Sequence, residues 1–289
     1  MTLATDRLGT IYTGRPLTVD PDGARAFAAA TNDDDPAYRS GGCVPPVFGA
    51  VLAWDALAMA VTDVVPAEAL AGLVHGEHDM HFSAPLVPGT SVTSRAQPHS
   101  VRPGRSGTRL TVRLRTTDSG TGAPMLEQYA TVLVRGWWQG EERGPDKPDH
   151  AMPPVGERHE VGRRHVGIDA DQTYRYRDAA GDANPIHVDD EAARRAGLPG
   201  IVLHGLCTMA MAGGAVLRTV GCPDPRLLRR LAVRFSGWVR PETELVVSTY
   251  AMGGAHRPAR GPGLSRDHAF EAHSDGRLVV ADGRAALEG

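Results

Sequence analysis

A carboxylate and an imidazole lie five positions apart in one short segment of the chain, at Asp182 and His187. The segment reads Gly-Asp-Ala-Asn-Pro-Ile-His, and Pro185 disfavours the helical conformation for Asn184. We therefore expect a loop in which both side chains turn to a common point, as general acid–base catalysis requires. Taken alone, the pair is more typical of a turn residue and a surface imidazole, because Asp and Asn before Pro favour loops.

A second feature follows the pair. After an acidic, alanine-rich helical turn at 188–196 and a Gly-Leu-Pro-Gly break, His204 and Gly205 open an apolar run that continues to Val220 and predicts a buried helix. The first N–H groups of such a helix have no intrahelical partner and carry the positive end of its dipole. Because Gly205 has no side chain, a carbonyl oxygen can approach these groups closely. The segment therefore offers an acid/base pair and an oxyanion site, which suits proton chemistry beside a thioester carbonyl.

The order of these residues resembles a family signature. Tyr176, small residues, Gly-Asp-x-Asn-Pro-x-His and a later Pro-Gly-Ile-x-x-His-Gly are similar to the motif of the MaoC-type (R)-specific enoyl-CoA hydratases and 3-hydroxyacyl-thioester dehydratases, also called hydratase 2. The match runs from Tyr176 to Gly205. It departs from the family at Ala179 and Ala180, where an aliphatic residue followed by Ser, Thr or Gly is more usual.

The resemblance implies roles for the residues that match. Asp182 and His187 would hold one water against C3 of a 2,3-unsaturated thioester, with one group taking its proton and the other protonating C2. The product would be the (3R)-hydroxyacyl thioester, and which group is acid or base stays open. Asn184 would orient the water or the loop, and the backbone of Gly205 would form the oxyanion site. Neither a cofactor nor a metal ion is expected.

The substrate handle implied by the resemblance is CoA or acyl carrier protein, and its phosphate needs cations near the mouth of the pocket. Most arginines are solvated surface residues, but we favour Arg234 and Arg240 for this task. Together with Tyr176 and His204 they form the predicted substrate-binding set.

Three histidines at 75, 78 and 81 raise the alternative of a metal site. The stretch predicts a strand, in which His75 and His81 share one face and His78 lies on the other. Solvated or edge histidines are therefore expected here instead of metal ligands.

The chain also repeats itself at about half its length. Thr-Asn-Asp-Asp-Asp-Pro-Ala-Tyr at 31–38 is a worn copy of the later motif, in which Asp33 matches Asp182 and Tyr38 matches His187 with the same offset of 149 residues. The copy has lost the base, so Tyr38 is expected to be a packed aromatic. Each copy is followed by a long apolar helix, from Val47 to Val61 in the first half, and then by β-rich sequence.

These elements predict the fold. An antiparallel meander is indicated at 78–84, 90–99, 108–117 and 125–137, and again at 231–239, 244–252, 267–273 and 277–287. An antiparallel sheet wrapped around a long buried helix is the hot-dog fold of the family, so the predicted class is α+β with a tandem, or double, hot dog. The predicted domains are a degenerate N-terminal hot dog at 1–139 that shapes the acyl pocket, a linker at 140–158 and a catalytic hot dog at 159–289. A mobile loop is expected at 253–266.

Composition limits the partners. The formal net charge of the 289 residues is -3, which gives no electrostatic reason to expect nucleic acid. Three widely spaced cysteines and the lack of a signal-like opening favour a reducing cytoplasm. No apolar run reaches the ~20 residues that a bilayer span needs. The expected partners are an acyl-CoA or carrier-protein thioester and a second copy of the chain in a homodimer.

Two other functions stay open. Hot-dog thioesterases share the predicted fold but lack the Gly-Asp-x-Asn-Pro-x-His arrangement. A non-catalytic subunit that binds acyl thioesters would retain the motif passively.

Overall fold

The computed structural model describes residues 3–70, 72–138, 141–154, 157–252 and 266–288. By their contacts the residues form two compact units: the first comprises 1–19, 49–84 and 89–149, and the second comprises 20–48, 85–88 and 150–289. The worn motif copy therefore packs within the second unit, together with the intact motif. The domain boundaries drawn from the sequence stay a prediction.

The helices of the described residues are α1 (Pro21–Ala30), α2 (Pro36–Arg39), α3 (Phe48–Val51), α4 (Trp54–Val64), α5 (Ala67–Leu70), α6 (Gln172–Ala180), α7 (Asp190–Arg195) and α8 (Gly205–Thr219). Short 3₁₀ turns lie at Thr5–Arg7, Pro185–His187 and Pro225–Leu227. None of the helices in the described ranges has the length and apolar character needed to cross a bilayer.

The first unit is an antiparallel sheet around one helix. Its strands are β1 (Tyr12–Thr13), β2 (Leu17–Thr18), β3 (Leu73–Phe82), β4 (Ser91–Gly104), β5 (Gly107–Asp118) and β6 (Pro124–Arg135). They are ordered β1-β4-β5-β6-β3, and β2 also pairs with β4. Helix α4 buries Ala56, Ala60 and Val64 in one hydrophobic cluster with sheet residues such as Val112 and Leu114. This arrangement matches the helix-and-sheet unit that the sequence predicts.

The sequence predicts one continuous helix from Val47 to Val61, and this prediction is wrong, because the structure has two helices. Helix α3 ends at Val51, and α4 begins at Trp54 and runs to Val64. The carbonyl of Leu52, which falls in the break, accepts a hydrogen bond from the buried Ser94 hydroxyl at 2.9 Å. A partner on the sheet thus satisfies a group that a continuous helix would bond internally, and the apolar pattern of the sequence carries no sign of it.

The second unit repeats the architecture. Its strands are β7 (Arg158–Gly167), β8 (Leu228–Phe235), β9 (Glu244–Met252), β10 (Arg266–Ser274) and β11 (Arg277–Leu287), ordered antiparallel as β8-β11-β10-β9-β7. Helix α8 is buried continuously from Leu206 to Leu217, which confirms the predicted buried helix. A Cβ at Gly213 would lie 2.9 Å from the Leu231 side chain, so this glycine lets α8 pack closely on β8.

Strand β7 is absent from the sequence prediction, which assigned its first residue to the linker. The strand lies at the end of the described strand order and pairs with β9, and most of its side chains are partly or fully exposed. Its Arg, His and Glu residues hide the hydrophobic alternation on which strand prediction depends. The loop predicted at 253–266 lies, apart from Arg266, outside the described residues.

Part of the predicted linker packs on the first unit. Arg143 forms an antiparallel bridge with Val101, and the Lys147 amine lies 2.6 Å from the buried Glu77 carboxylate. Three residues further on, within the second unit, the ring Nδ1 of His150 lies 2.8 Å from the carbonyl oxygen of Asp282. The polar composition of this stretch thus serves specific contacts.

The face assignment of the three histidines on β3 is also wrong. The register of β3 shifts between His75 and Glu77, so the rings of His75 and His78 meet with centroids 5.1 Å apart. His78 is 1% exposed, and its Nε2 donates to Gln128 Oε1 at 2.9 Å, while the Gln128 amide donates to the Gly49 carbonyl at 3.2 Å. A bulge changes which residues share a face, and it leaves no mark in the sequence pattern.

Burial and the neighbouring His78 ring lower the pKa of His75 to about 3, and burial also lowers the pKa of His78. Between roughly pH 6.5 and 3 the unfolded chain therefore binds more protons than the folded one, so stability falls as the pH falls. We expect His75→Gln, which can still donate to His78, to flatten this fall by up to about 1.4 kcal/mol per pH unit. Urea titrations from pH 7 to pH 4 measure the slope. Identical slopes in the variant and the parent would contradict the assignment.

Candidate active site

Helix α6 contains Tyr176 and leads into Gly181 and Asp182, the first residues of the intact motif. It ends at Gly181, which has a left-handed φ of 74° and donates its N–H to the Arg177 carbonyl at 2.8 Å. A glycine in this conformation ends a helix and turns the chain sharply. Asp182 therefore leaves the helix axis and lies at the start of the loop that leads to His187.

The Asn-Pro step builds the turn that carries the imidazole. Asn184 precedes the 3₁₀ turn, and its side-chain oxygen accepts the Ile186 N–H at 3.3 Å, while Pro185 occupies the first position, where no N–H is needed. The Asp182 carboxylate accepts the Asn184 N–H at 3.2 Å. The expectation of an irregular loop is thus confirmed, and Asn184 stabilises the loop. Its influence on the reacting water stays a prediction.

His187 is held as a neutral imidazole. It is 8% exposed, and its Nδ1 lies 2.8 Å from the Val202 carbonyl oxygen, which can only accept. The proton therefore resides on Nδ1, and Nε2 keeps its lone pair. Burial lowers the pKa of His187, while the bond to Val202 and the charge of Asp182 act in the opposite direction.

His204 joins the two parts of the motif. Its ring stacks on His187 with centroids 3.8 Å apart and an interplanar angle of 29°, and its Nε2 donates to the Asp182 carbonyl at 3.1 Å. The His204 ring also lies beside Tyr176, with centroids 4.7 Å apart. Burial and the neighbouring His187 lower the pKa of His204 to about 3. The buried Nδ1 has no hydrogen-bond partner among the described residues.

Side-chain ligand atoms of Asp182, His187 and His204 all lie within 4.8 Å of one another, so this cluster is the one to test for a metal site. A tetrahedral metal needs ring lone pairs that converge on one point. The rings of His187 and His204 are instead stacked, with planes 29° apart and centroids 3.8 Å apart, and lone pairs that lie in two stacked ring planes converge poorly on one ion. As arranged, the cluster fits proton transfer better than metal ligation.

The predicted oxyanion site lies at the start of α8. His204 is the residue before the helix and makes no side-chain cap, and Gly205 is its first residue. A Cβ at Gly205 would lie 3.4 Å from the Phe235 ring, so the position is closely lined on one side. The geometry fits a carbonyl approaching the first N–H groups, and this role stays a prediction.

The remaining predicted substrate residues differ in exposure. Tyr176 is 1% exposed and packs between His204 and Phe27, whose ring centroid lies 5.4 Å away. Arg234 and Arg240 are about half exposed, with side-chain values of 46% and 51%, and lie 2.6 and 2.7 Å from Asp282 and Asp275. A phosphate would have to compete with these carboxylates.

Arg240 follows a residue that borders the site, because the Val239 carbonyl accepts the Leu203 N–H at 2.8 Å just before His204. Sequence reasoning missed two neighbours of the cluster. The charge of Arg177 acts on the His204 imidazole and disfavours its protonation. Phe27 on α1 supports Tyr176 from behind. The repeat offset, which places α1 before the worn copy as α6 precedes the intact one, was the available signal for Phe27.

Replacing His204 tests its joining role. His204→Phe keeps a ring against His187 and removes the hydrogen bond to the Asp182 carbonyl. A hydrogen bond of this kind contributes about 1 kcal/mol. We therefore expect the kcat of the hydration that the motif predicts to fall by roughly five- to tenfold, and we expect the variant to fold. Steady-state kinetics and thermal unfolding of the variant provide the measurement. Unchanged kcat would show that the bond does not hold Asp182 in its working position.

Separate parts of the chain match two known protein families. The model of a MaoC like domain matches residues 154–260, and the model of a FAS1-like dehydratase domain region matches residues 7–128. A 3-hydroxyacyl-thioester dehydratase Y of Mycobacterium tuberculosis is 31% identical over 219 residues, which cover 74% of this chain and 72% of that protein. A probable enoyl-CoA hydratase 2 of Dictyostelium discoideum is 30% identical over 179 residues, which cover 60% of each chain.

The chain thus spans 60% of the length of the Dictyostelium relative. Among solved structures, a MaoC-like dehydratase from Phytophthora capsici superimposes with a TM-score of 0.79 at 20% identity, covering 98% of this chain and 96% of that one. With the architecture of the two units, this likeness confirms the predicted tandem hot-dog fold.

Proposed function

Because the chain belongs to the MaoC-like family of thioester hydratases and dehydratases, we propose that it adds water reversibly to trans-2-enoyl thioesters and thereby forms (3R)-hydroxyacyl thioesters. The observation that carries the proposal is the convergence of Asp182 and His187 within 4.8 Å, close to the start of α8. An acid and a base meet there beside N–H groups suited to a developing enolate oxygen.

Each group has a task in the proposed hydration. The water loses a proton to one member of the pair while its oxygen bonds to C3, and the other member gives a proton to C2. Electron density from the double bond reaches the thioester oxygen during this step, and the N–H groups at Gly205 stabilise it. The lone pair on His187 Nε2 supports a base role for His187. The pair regains its initial protonation after the product leaves, and dehydration runs the same steps in reverse.

The first test removes each member of the pair. Asp182→Asn and His187→Ala should each lower the rate of crotonyl-CoA hydration by roughly 10²- to 10⁴-fold, as expected for loss of a general acid or base. The reaction rate is measured from the decrease in the enoyl absorbance. The exposed His159, replaced by Ala, is a matched control that should keep the parent rate. Near-parent turnover in either site variant would refute the assignment.

The pH profile gives a second test. Protonation of His187 removes the base, and its pKa lies below the usual value because the ring is buried. The acidic limb of kcat/KM should therefore have its midpoint below about 6.5, as a property of the coupled pair. Initial rates from pH 4.5 to pH 8 locate the midpoint. A midpoint at or above 6.5 would contradict the buried, neutral imidazole.

The alternatives make different products. A thioesterase would release free thiol from crotonyl-CoA, whereas hydration bleaches the enoyl absorbance without releasing thiol. A non-catalytic binding subunit would bind acyl thioesters in a titration and show no turnover. The helical N-terminus beside an acid/base pair favours the hydratase over both.

Further features of the function are proposals of the same kind. We propose that the N-terminal repeat shapes the acyl pocket and that Arg234 and Arg240 serve the phosphate of CoA or of a carrier protein. We also propose a homodimer and a reducing cytoplasm, and the three free cysteines support the compartment. Light scattering tests the dimer, and a comparison of CoA with pantetheine thioesters tests the two arginines.

A further inference from the structure

The worn motif copy touches the elements that carry the intact one. Asn32 lies in the second unit, and its amide group donates to the Gly167 carbonyl at 3.1 Å and to Gln172 Oε1 at 3.0 Å. The Asp169 carboxylate lies 3.2 Å from the same nitrogen. Asn32 has a φ of 51°, a left-handed conformation that asparagine tolerates better than most residues. The side chain thus holds the chain segment from which α6 begins.

Two residues of α6 donate hydrogen bonds to Asn32 and to the end of α1. Gln172 is fully buried, and its amide donates to the Ala30 carbonyl and, at 3.4 Å, to Asn32 Oδ1. Arg175 donates to the Ala29 carbonyl at 2.9 Å and to Asn32 Oδ1 at 3.2 Å. The carbonyls at the end of α1 would otherwise lack helical partners. The first turn of α6 is therefore fastened to the end of α1 through Asn32.

Asp33 makes the corresponding contact with α8. Its Oδ1 lies 2.9 Å from the Arg218 guanidinium, and its side chain is 10% exposed. A Cβ at Gly214 would lie 2.6 Å from Asp33 Oδ2, so the missing side chain creates the space for the carboxylate. Asp33, which matches Asp182 in the repeat, thus forms an ion pair with Arg218 on α8, the helix that begins at Gly205.

We propose that Asn32 and Asp33 are positioning residues for the catalytic site of the second repeat, a role that rests on the proposed hydratase function. Asn32 holds α6, which ends at Ala180, two residues before Asp182, and Asp33 holds α8, which begins directly after His204. Phe27, on the same α1, supports Tyr176 and through it the His204 ring. Misplacement of catalytic groups by about 1 Å can cost two orders of magnitude in rate, so both anchors bear on turnover.

Asn32→Gly tests the contribution of the side chain alone, because glycine adopts the left-handed backbone conformation of this position without strain. We expect kcat on crotonyl-CoA to fall at least roughly tenfold, with KM changed less than about threefold, at a temperature where the variant is folded. Asp20→Ala is the matched control. It removes the hydrogen bonds that Asp20 makes to the N–H groups of Asp22 and Gly23 at the opposite end of α1. It should lower Tm and retain kcat.

Hydrogen exchange gives a readout that needs no activity. Amides of 172–182 and 205–208 should exchange faster in Asn32→Gly than in the parent or in Asp20→Ala, and Asp33→Asn should affect 205–218 in the same way. Parent kcat and parent exchange in Asn32→Gly would overturn the proposal, as would a lowered Tm with kcat retained. If the parent protein fails to hydrate crotonyl-CoA and other enoyl thioesters, the proposed function fails, and the exchange data alone decide whether the worn copy holds α6 and α8.

Discussion

The contact between His187 and His204 is the one on which the site depends. The two rings lie 3.8 Å apart, and the same His204 ring donates to the backbone of Asp182. The loop that carries Asp182 and His187 and the N-terminus of α8 are thereby joined through one side chain. A pair of loop residues becomes a defined site because a buried ring that belongs to the helix start limits the positions of both.

Burial sets the electrostatics of this arrangement. Imidazoles removed from water resist protonation, and the pKa of both site histidines is lowered for this reason. The neighbouring His187 lowers the pKa of His204 further, and so does the positive charge of Arg177. The Val202 carbonyl fixes the tautomer of His187, so the proton stays on Nδ1 and the lone pair on Nε2.

The two repeats have diverged in chemistry while retaining their local geometry. Asp35 and Pro36 begin α2 as Asn184 and Pro185 begin the 3₁₀ turn that carries His187, with a side-chain cap followed by proline in each case. Tyr38, at the position of His187, is 2% exposed, and burial raises its phenol pKa, which confirms a packed aromatic. The carboxylate of the first copy is neutralised by Arg218 and does not face a base. The first copy has no imidazole at this position, and its Asn32 and Asp33 instead contact α6 and α8.

The sequence by itself determined the local features that depend on residue type: the Asn-Pro turn, the helix that begins at Gly205, most of the strands of both sheets and the repeat that predicts a tandem fold. Each follows from caps, glycines, prolines or hydrophobic period within a few residues. Tertiary structure decided what depends on distant partners. The break at Leu52 needs Ser94, the charged strand β7 needs β9, and the stack of His204 on His187 needs the fold to bring two loops together. The assignment of 20–48 to the second unit is of the same kind, because the hydrogen bonds of Asn32 reach residues about 140 positions away.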